Sequence, residues 1–125
     1  MERFLLDSSA IIEILSGTAE GKRAATAVRS GEVATSAIAY CEVLNKANLD
    51  KLQIAEAFLN RLLVLYPGQA ELKTCCGIQQ ACNRKGRHVP TIDALIAATA
   101  INAGCTLVSF DGDFGRIEGL KKLAP

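Results

Sequence analysis

The sequence predicts an α/β fold in three layers, α/β/α, around a mainly parallel central sheet of four to five strands. Three observations predict it. Short apolar runs alternate with longer segments whose apolar residues recur every three or four positions, the pattern of strands joined by crossover helices. The runs at residues 3–6 and 105–110 are almost continuously apolar, as strands covered on both faces require. Each is followed by or merges into an aspartate, Asp7 and Asp111, at the strand end where open α/β sheets bind ligands.

The whole-chain properties narrow the class. With 125 residues and half of them hydrophobic, residues 1–125 are expected to form one domain around one real core. Glu2 and Asp7 interrupt the first apolar run, so it does not read as a signal peptide, and no uncharged apolar stretch approaches the roughly 20 residues of a membrane span. A soluble, cytoplasmic protein without membrane contact is expected. Five cysteines, Cys41, Cys75, Cys76, Cys82 and Cys105, form an odd set without C-x-x-C spacing, and His88 is the only histidine. Buried, reduced thiols fit this better than a disulfide framework or a zinc site. The formal charge of +1 predicts no strong attraction to polyanions. Were four acids neutralised by metal, 14 basic groups would face 13 − 4 = 9 acidic ones. That cationic remainder suits a phosphate-backbone substrate.

The elements follow in order. Residues 3–6 form a first strand, and residues 10–15 a helix ending near Gly17. Residues 18–30 form a polar helix with Ala24, Ala27 and Val28 inward, stopped by Gly31. A second strand at 33–36 leads into a helix from Ser36 to about Asn48, and residues 52–63 carry an amphipathic stripe of Ile54, Ala55, Phe58, Leu59 and Leu62. A third strand at 63–66 closes at Pro67-Gly68. The helix at 70–83 is expected to turn Leu72, Cys75, Cys76, Ile78, Gln79 and Cys82 inward. Arg84, Lys85 and Arg87 then make a basic loop, a candidate RNA contact, before the segment TIDALIAATAINAGCTLVSFDGDF at 91–114. In that segment Ile92, Leu95, Ile96, Thr99, Ala100 and Ala103 recur at helical spacing, and alanines fill the other faces, so the helix is buried on several sides. Thr91 is its expected N-cap and Gly104 its C′ residue. A strand at 105–110, a short helix at 114–117 capped by Asp113, and an edge strand at 120–123 complete the chain.

Four acids stand where this topology converges. Helices run antiparallel to parallel strands, so Asp93 at a helix start and Asp111 at a strand end share one sheet edge. Asp7 ends the first strand; its other reading is the N-cap of the following helix. Glu42 is a lone carboxylate in an apolar helical stretch, costly unless paired or bound to metal. Its other reading is a surface pair with Lys46 four residues on. An oxygen-only cluster without histidine or cysteine selects Mg²⁺ or Mn²⁺, whose chemistry with phosphates is phosphodiester hydrolysis by one metal or a pair. A haloacid-dehalogenase-like phosphatase would want an acid two residues after Asp7, where Ser9 stands.

LLDSSAII at 5–12, TSAIAYCEVL at 35–44 and TIDALIAATAINAGCTLVSFDGDFGRIEGLKKL at 91–123 resemble the PIN domain, specifically the VapC-type toxin ribonucleases, over nearly the full length. The resemblance implies a PIN-like fold and an endoribonuclease dependent on Mg²⁺ or Mn²⁺, one or two ions per site, that cleaves single-stranded RNA. It also implies a homodimer and a small antitoxin partner. It assigns the metal-binding and catalytic roles to Asp7, Glu42, Asp93 and Asp111, with Asp113 as a further candidate ligand. Ser9 and Ser109 match polar positions that support the metal or its water. Ser8-Ser9 stands where many members have Thr-Asn, so polarity behind the ligands differs there. A housekeeping RNA-processing nuclease of the same family and a catalytically weak PIN-like binding module remain the alternatives. The apolar segment 52–65 is the expected contact surface for a partner or a second copy.

Overall fold

Strand β1 (Arg3–Leu6) lies in the middle of the sheet. In the computed structural model, which describes residues 1–125, it is followed by α1 (Ser8–Ser16), α2 (Ala19–Ala27), β2 (Glu32–Ser36), α3 (Ala37–Lys46), α4 (Leu52–Leu59), β3 (Leu63–Leu65) and α5 (Gln69–Arg84). Helix α6 (Thr91–Asn102), β4 (Thr106–Val108), a 3₁₀ turn at Gly112–Arg116 and β5 (Lys122–Leu123) complete the chain. The five strands run in the order β3-β2-β1-β4-β5, every pair parallel. The chain winds outward from β1 through β2 to β3, then returns to place β4 on the other side of β1. That reversal puts a crevice beyond the carboxyl ends of β1 and β4.

The pleat of the central strands divides the core into two. Phe4, Leu6 and Val108 pack with Ala10 and Ile11 of α1, Ala24 of α2, and Ala55 and Leu59 of α4. Leu5 and Leu107 point to the opposite face, against Cys75 and Cys82 of α5 and Ala94, Ile96, Ala97 and Ala100 of α6. Successive side chains of a strand face opposite ways, so these alternations make three layers. Small residues set the spacing: four alanines of α6 are wholly buried, leaving no room for a larger side chain without displacing α5 or the sheet. Gly21 works likewise, since a Cβ there would lie 2.0 Å from the Glu13 carbonyl oxygen at the end of α1.

Helix ends follow local chemistry. Thr18 caps α2 by accepting from the Gly21 N–H at 3.0 Å, and Ser36 caps α3 by accepting from Ala39 N–H at 3.0 Å. At the end of α6, Gly104 has φ +68°. The Cys105 N–H reaches back to the Ala100 carbonyl at 2.9 Å and the Gly104 N–H to Ile101 at 3.2 Å, a Schellman stop that turns the chain into β4.

Several expectations are corrected. Thr91 does not cap α6; Pro90 occupies the N-cap position without a side-chain bond, and the Thr91 hydroxyl accepts from Gln79 Nε2 at 2.9 Å instead. Ile92 is about half exposed because the first turn of α6 projects past the sheet edge. On α5, Cys75 and Cys82 are buried but Leu72 and Cys76 are exposed. Glu71 and Thr74 both bond Asn102, so that face meets α6 and Leu72 falls off it. Buried thiols hold for Cys75, Cys82 and Cys105, whereas Cys41 and Cys76 are exposed; all five are unpaired. Helix α4 ends at Leu59, short of 63, because Leu63 already pairs with Ala34 of β2. No helix is long and apolar enough to cross a membrane.

Candidate metal centre

The turn from β1 into α1 spans one residue, Asp7. Its backbone N–H still bonds the Val108 carbonyl of β4 at 3.2 Å, while its side chain already caps α1, with Oδ1 accepting from the Ala10 N–H at 3.0 Å. Both sequence readings of Asp7 therefore hold at once for its position: it ends the strand at the crevice and it caps the helix. The residue is almost fully buried. Ser9 Oγ donates to the same Oδ1 at 2.7 Å, and Ser109 Oγ donates to Oδ2. Burial pushes the Asp7 carboxyl above its ordinary pKa, the Ser109, Ala10 and Ser9 hydrogen bonds pull back, and the Asp111 charge adds to the rise. A carboxylate has about four acceptor positions, so three hydrogen bonds leave one open on Oδ2.

Ser109 joins the two sides of the crevice. It is wholly buried, and besides donating to Asp7 its hydroxyl accepts from the Asp111 N–H at 3.0 Å. Ser9 does the same from the other side, accepting from the Phe110 N–H at 3.1 Å. The two serines thus tie the end of β4 to the start of α1, and they set where Asp111 leaves the sheet.

Asp111 is exposed, and its Oδ1 accepts from the Asp113 N–H at 2.9 Å. This reverses the expected capping: Asp111, not Asp113, is the N-cap of the 3₁₀ turn, which begins at Gly112, four residues past the end of β4. Asp113 is freed for the crevice. Its carboxylate comes together with those of Asp93 and Asp111, each offering an oxygen within 4.8 Å of the others. Asp7 and Glu42 lie outside that tight trio but close enough to act on it. The Asp93 carboxyl is raised above its ordinary pKa by burial first, then by the charges of Asp111, Asp113, Glu42 and Asp7. Five acids therefore share one edge. Glu42 is half-buried and forms no ion pair, so the surface pair with Lys46 is absent.

The positive groups are unevenly placed. Of the basic loop, Arg84 and Arg87 are exposed, and Lys85 is engaged by Glu118. None of the three pairs with an acid of the cluster. The sequence reading missed the one cation that does. Arg116 Nη2 stands 3.8 Å from Asp113 Oδ1, and Nη1 donates to the His88 carbonyl at 3.4 Å. Its signal in the sequence is the i,i+3 spacing from Asp113 within one short turn. Lys122 Nζ holds the Asp111 carbonyl at 2.7 Å.

The donor set is oxygen only, and neither Asp93 nor Glu42 accepts a hydrogen bond from the protein. Carboxylates crowded at one edge, with Asp93 raised by burial and by its neighbours' charges and without a hydrogen-bond partner of its own, fit a hard divalent cation, which supplies the missing counter-charge.

The description "PIN domain" belongs to the family model that matches residues 4–120. No curated protein matches the chain. Among solved structures it is similar to a chain of VapBC2 from Rickettsia felis, bound to a DNA fragment from their promoter, at 20% identity and TM-score 0.82, with 97% of each chain covered. It is also similar to a chain of DNA-bound VapBC from Salmonella typhimurium, at 25% identity and TM-score 0.81, with 98% of each covered. A third is VapBC-5, a member of the VapBC family of toxin-antitoxin systems, from Mycobacterium tuberculosis, at 20% identity and TM-score 0.76 over 100% of each chain.

Proposed function

Since the chain belongs to the PIN domain family, we propose that residues 1–125 form a single VapC-type nuclease domain that hydrolyses phosphodiester bonds of single-stranded RNA with Mg²⁺ or Mn²⁺. The observation that carries the reading is the trio Asp93, Asp111 and Asp113 within 4.8 Å, with the charges of Glu42 and Asp7 felt at Asp93.

Asp93, Asp111 and Asp113 would hold the metal, one ion or two, and Glu42 and Asp7 complete the negative field around it. A divalent cation at such a site supplies the Lewis acidity that lets water attack a phosphodiester at neutral pH. The protein's own part is placement. Ser9 and Ser109 fix the Asp7 carboxyl and oppose the rise in its pKa that burial causes. Asp111 is aimed by its bond to the Ser109 hydroxyl and by the turn it caps. Asp93 sits in the first turn of α6, where the helix dipole favours a negative charge. Arg84, Lys85 and Arg87 flank the start of that helix and would meet the RNA backbone.

The partner in this reading is a small antitoxin, and the protein acts in the cytoplasm. Supporting it is a groove of about 290 Å³ between α1, α3 and α4, where Leu15, Val43 and Ile54 are apolar and Lys46 and Lys51 stand at the wall. An apolar segment with acidic flanks complements it. A homodimer is the second association proposed, and would bury Leu63, Tyr66 and Leu72, each more than half exposed.

The test is cleavage of single-stranded RNA by purified protein. Activity should vanish in EDTA, return with Mn²⁺ or Mg²⁺, and be lost in Asp93→Asn while the fold survives. Cleavage that continues unchanged in EDTA contradicts the metal mechanism.

A further inference from the structure

Arg116 is the one cation that pairs with an acid of the cluster, and it reaches only Asp113. Nη2 is 3.8 Å from Asp113 Oδ1, too long for a hydrogen bond, and both side chains are about half exposed. Such a pair is weak and easily exchanged. The anchor lies elsewhere. Nη1 donates to the His88 carbonyl in the loop before α6, and the Arg116 carbonyl accepts from Cys82 Sγ at the end of α5. Both ends of the residue are therefore tied to the α5–α6 region. A guanidinium carries five N–H donors, and here only one makes a hydrogen bond.

We propose that Arg116 is a substrate-binding residue, which takes a backbone phosphate of the RNA lying across the acid cluster. This rests on the nuclease reading above. Three features support it over a purely structural role. The planar fork matches phosphate oxygens, and it stands beside Asp113, at a site whose carboxylates repel the substrate. Its guanidinium already has the His88 carbonyl and Asp113 beside it before substrate arrives, whereas Arg84 and Arg87 form no ion pair, so less side-chain freedom is lost on binding. The remaining cation of the loop, Lys85, is already taken by Glu118. Were a metal to hold the Asp113 carboxylate, the weak pair would leave Arg116 Nη2 available to a phosphate oxygen.

The experiment measures RNA binding without turnover. A fluorescein-labelled single-stranded RNA oligonucleotide is titrated by anisotropy in Ca²⁺, its integrity checked on a gel, against wild type, Arg116→Ala and Arg116→Lys over a range of salt. Arg116→Ala should weaken binding about tenfold, the value of one charge-assisted contact, and reduce the slope of log K against log salt by about 0.7, one phosphate on a single strand. Arg116→Lys should keep the slope. Mn²⁺ titration without RNA should show Arg116→Ala binding the ion no more weakly than wild type, because a nearby positive charge has been removed. Unchanged RNA affinity in Arg116→Ala overturns the proposal. So does a loss of Mn²⁺ affinity with RNA affinity intact, which would make Arg116 a positioning residue for Asp113. Should Arg116→Ala melt below the assay temperature, Arg116→Gln carries the same test. A wild type that neither binds nor cleaves the oligonucleotide overturns the nuclease reading itself, a result distinct from equal binding by wild type and variant.

Discussion

Replacing Ser109 by alanine removes one oxygen and disconnects the two halves of the crevice. The hydroxyl is wholly buried, donates to Asp7 Oδ2 and accepts from the Asp111 N–H. A hydrogen bond to a charged group contributes about 1.5–3 kcal/mol. The stranded Asp111 N–H adds little, because Asp111 is exposed and water replaces the acceptor. A loss of about 2–3 kcal/mol is therefore expected. For 125 residues the unfolding entropy is about 0.26 kcal/mol per kelvin, so the melting temperature should fall by about 8–11 °C. Ser109 is the strongest of the bonds that keep Asp7 ionised, so its removal raises the Asp7 pKa further. The unfolded chain keeps the ordinary 3.8 in both proteins. The penalty is then full above the variant's folded pKa and shrinks as pH falls through it. Thermal melts in EDTA across this range measure both effects. A shift below about 4 °C near neutral pH, roughly 1 kcal/mol, would refute the reasoning.

Three further outcomes are expected. Asp111→Asn and Asp113→Asn should each fold within about 1 kcal/mol of wild type, since Asn caps as well as Asp and the Arg116 pair is exposed; both should weaken Mn²⁺ binding in a titration, and wild-type affinity in Asp113→Asn would place that acid outside the metal site. The folded carboxyls of Asp7 and Asp93 hold protons more tightly than unfolded ones, so metal-free stability should fall as pH rises from 3.8 through their raised values. Because the metal displaces those protons, the gain in melting temperature from Mn²⁺ should be larger at about pH 7.5 than at about pH 5, and equal gains would contradict the assignment. Ile54→Asp should leave stability within about 0.5 kcal/mol, because the side chain is exposed, yet abolish co-elution with an antitoxin; retained co-elution would move the docking site off the groove.

Much of this was legible in the sequence because it depends on backbone topology. Parallel strands and antiparallel helices send Asp7, Asp93 and Asp111 to one edge whatever the side chains do afterwards. A mainly parallel sheet of four to five strands, the buried α6 and its glycine stop followed from apolar period and turn chemistry. Less legible was everything decided by a fraction of a turn. Cys75 and Cys76 lie about 100° apart on α5; the apolar pattern placed both inward, and only Cys75 is buried. Arg116 was hidden because its partners, His88 and Asp113, meet it only after the α5–α6 loop and the 3₁₀ turn are folded together.

The capping of the last turn was misread for a related reason, and the correction explains the site. Three residues, Ser109 to Asp111, separate β4 from the 3₁₀ turn, whereas Asp7 alone passes from β1 to α1 and must serve both. It ends the ladder at the carboxyl edge, and its side chain must satisfy the first free N–H groups of the helix. An aspartate does this with one oxygen. At Asp7 and at Asp111 the cap bond falls on Oδ1, from Ala10 and from Asp113, and Oδ2 makes no cap bond. Capping with one oxygen is therefore compatible with the ligand role proposed for Asp111. The acids that do not cap obey a reach rule instead. Asp93 is the third residue of α6 and needs only a short side chain, whereas Glu42 is the sixth of α3. Helical side chains lean toward the N-terminus, and the extra methylene of glutamate brings its carboxylate back toward the edge from a turn further along. Shortening Glu42 to aspartate would keep the charge and lose the reach.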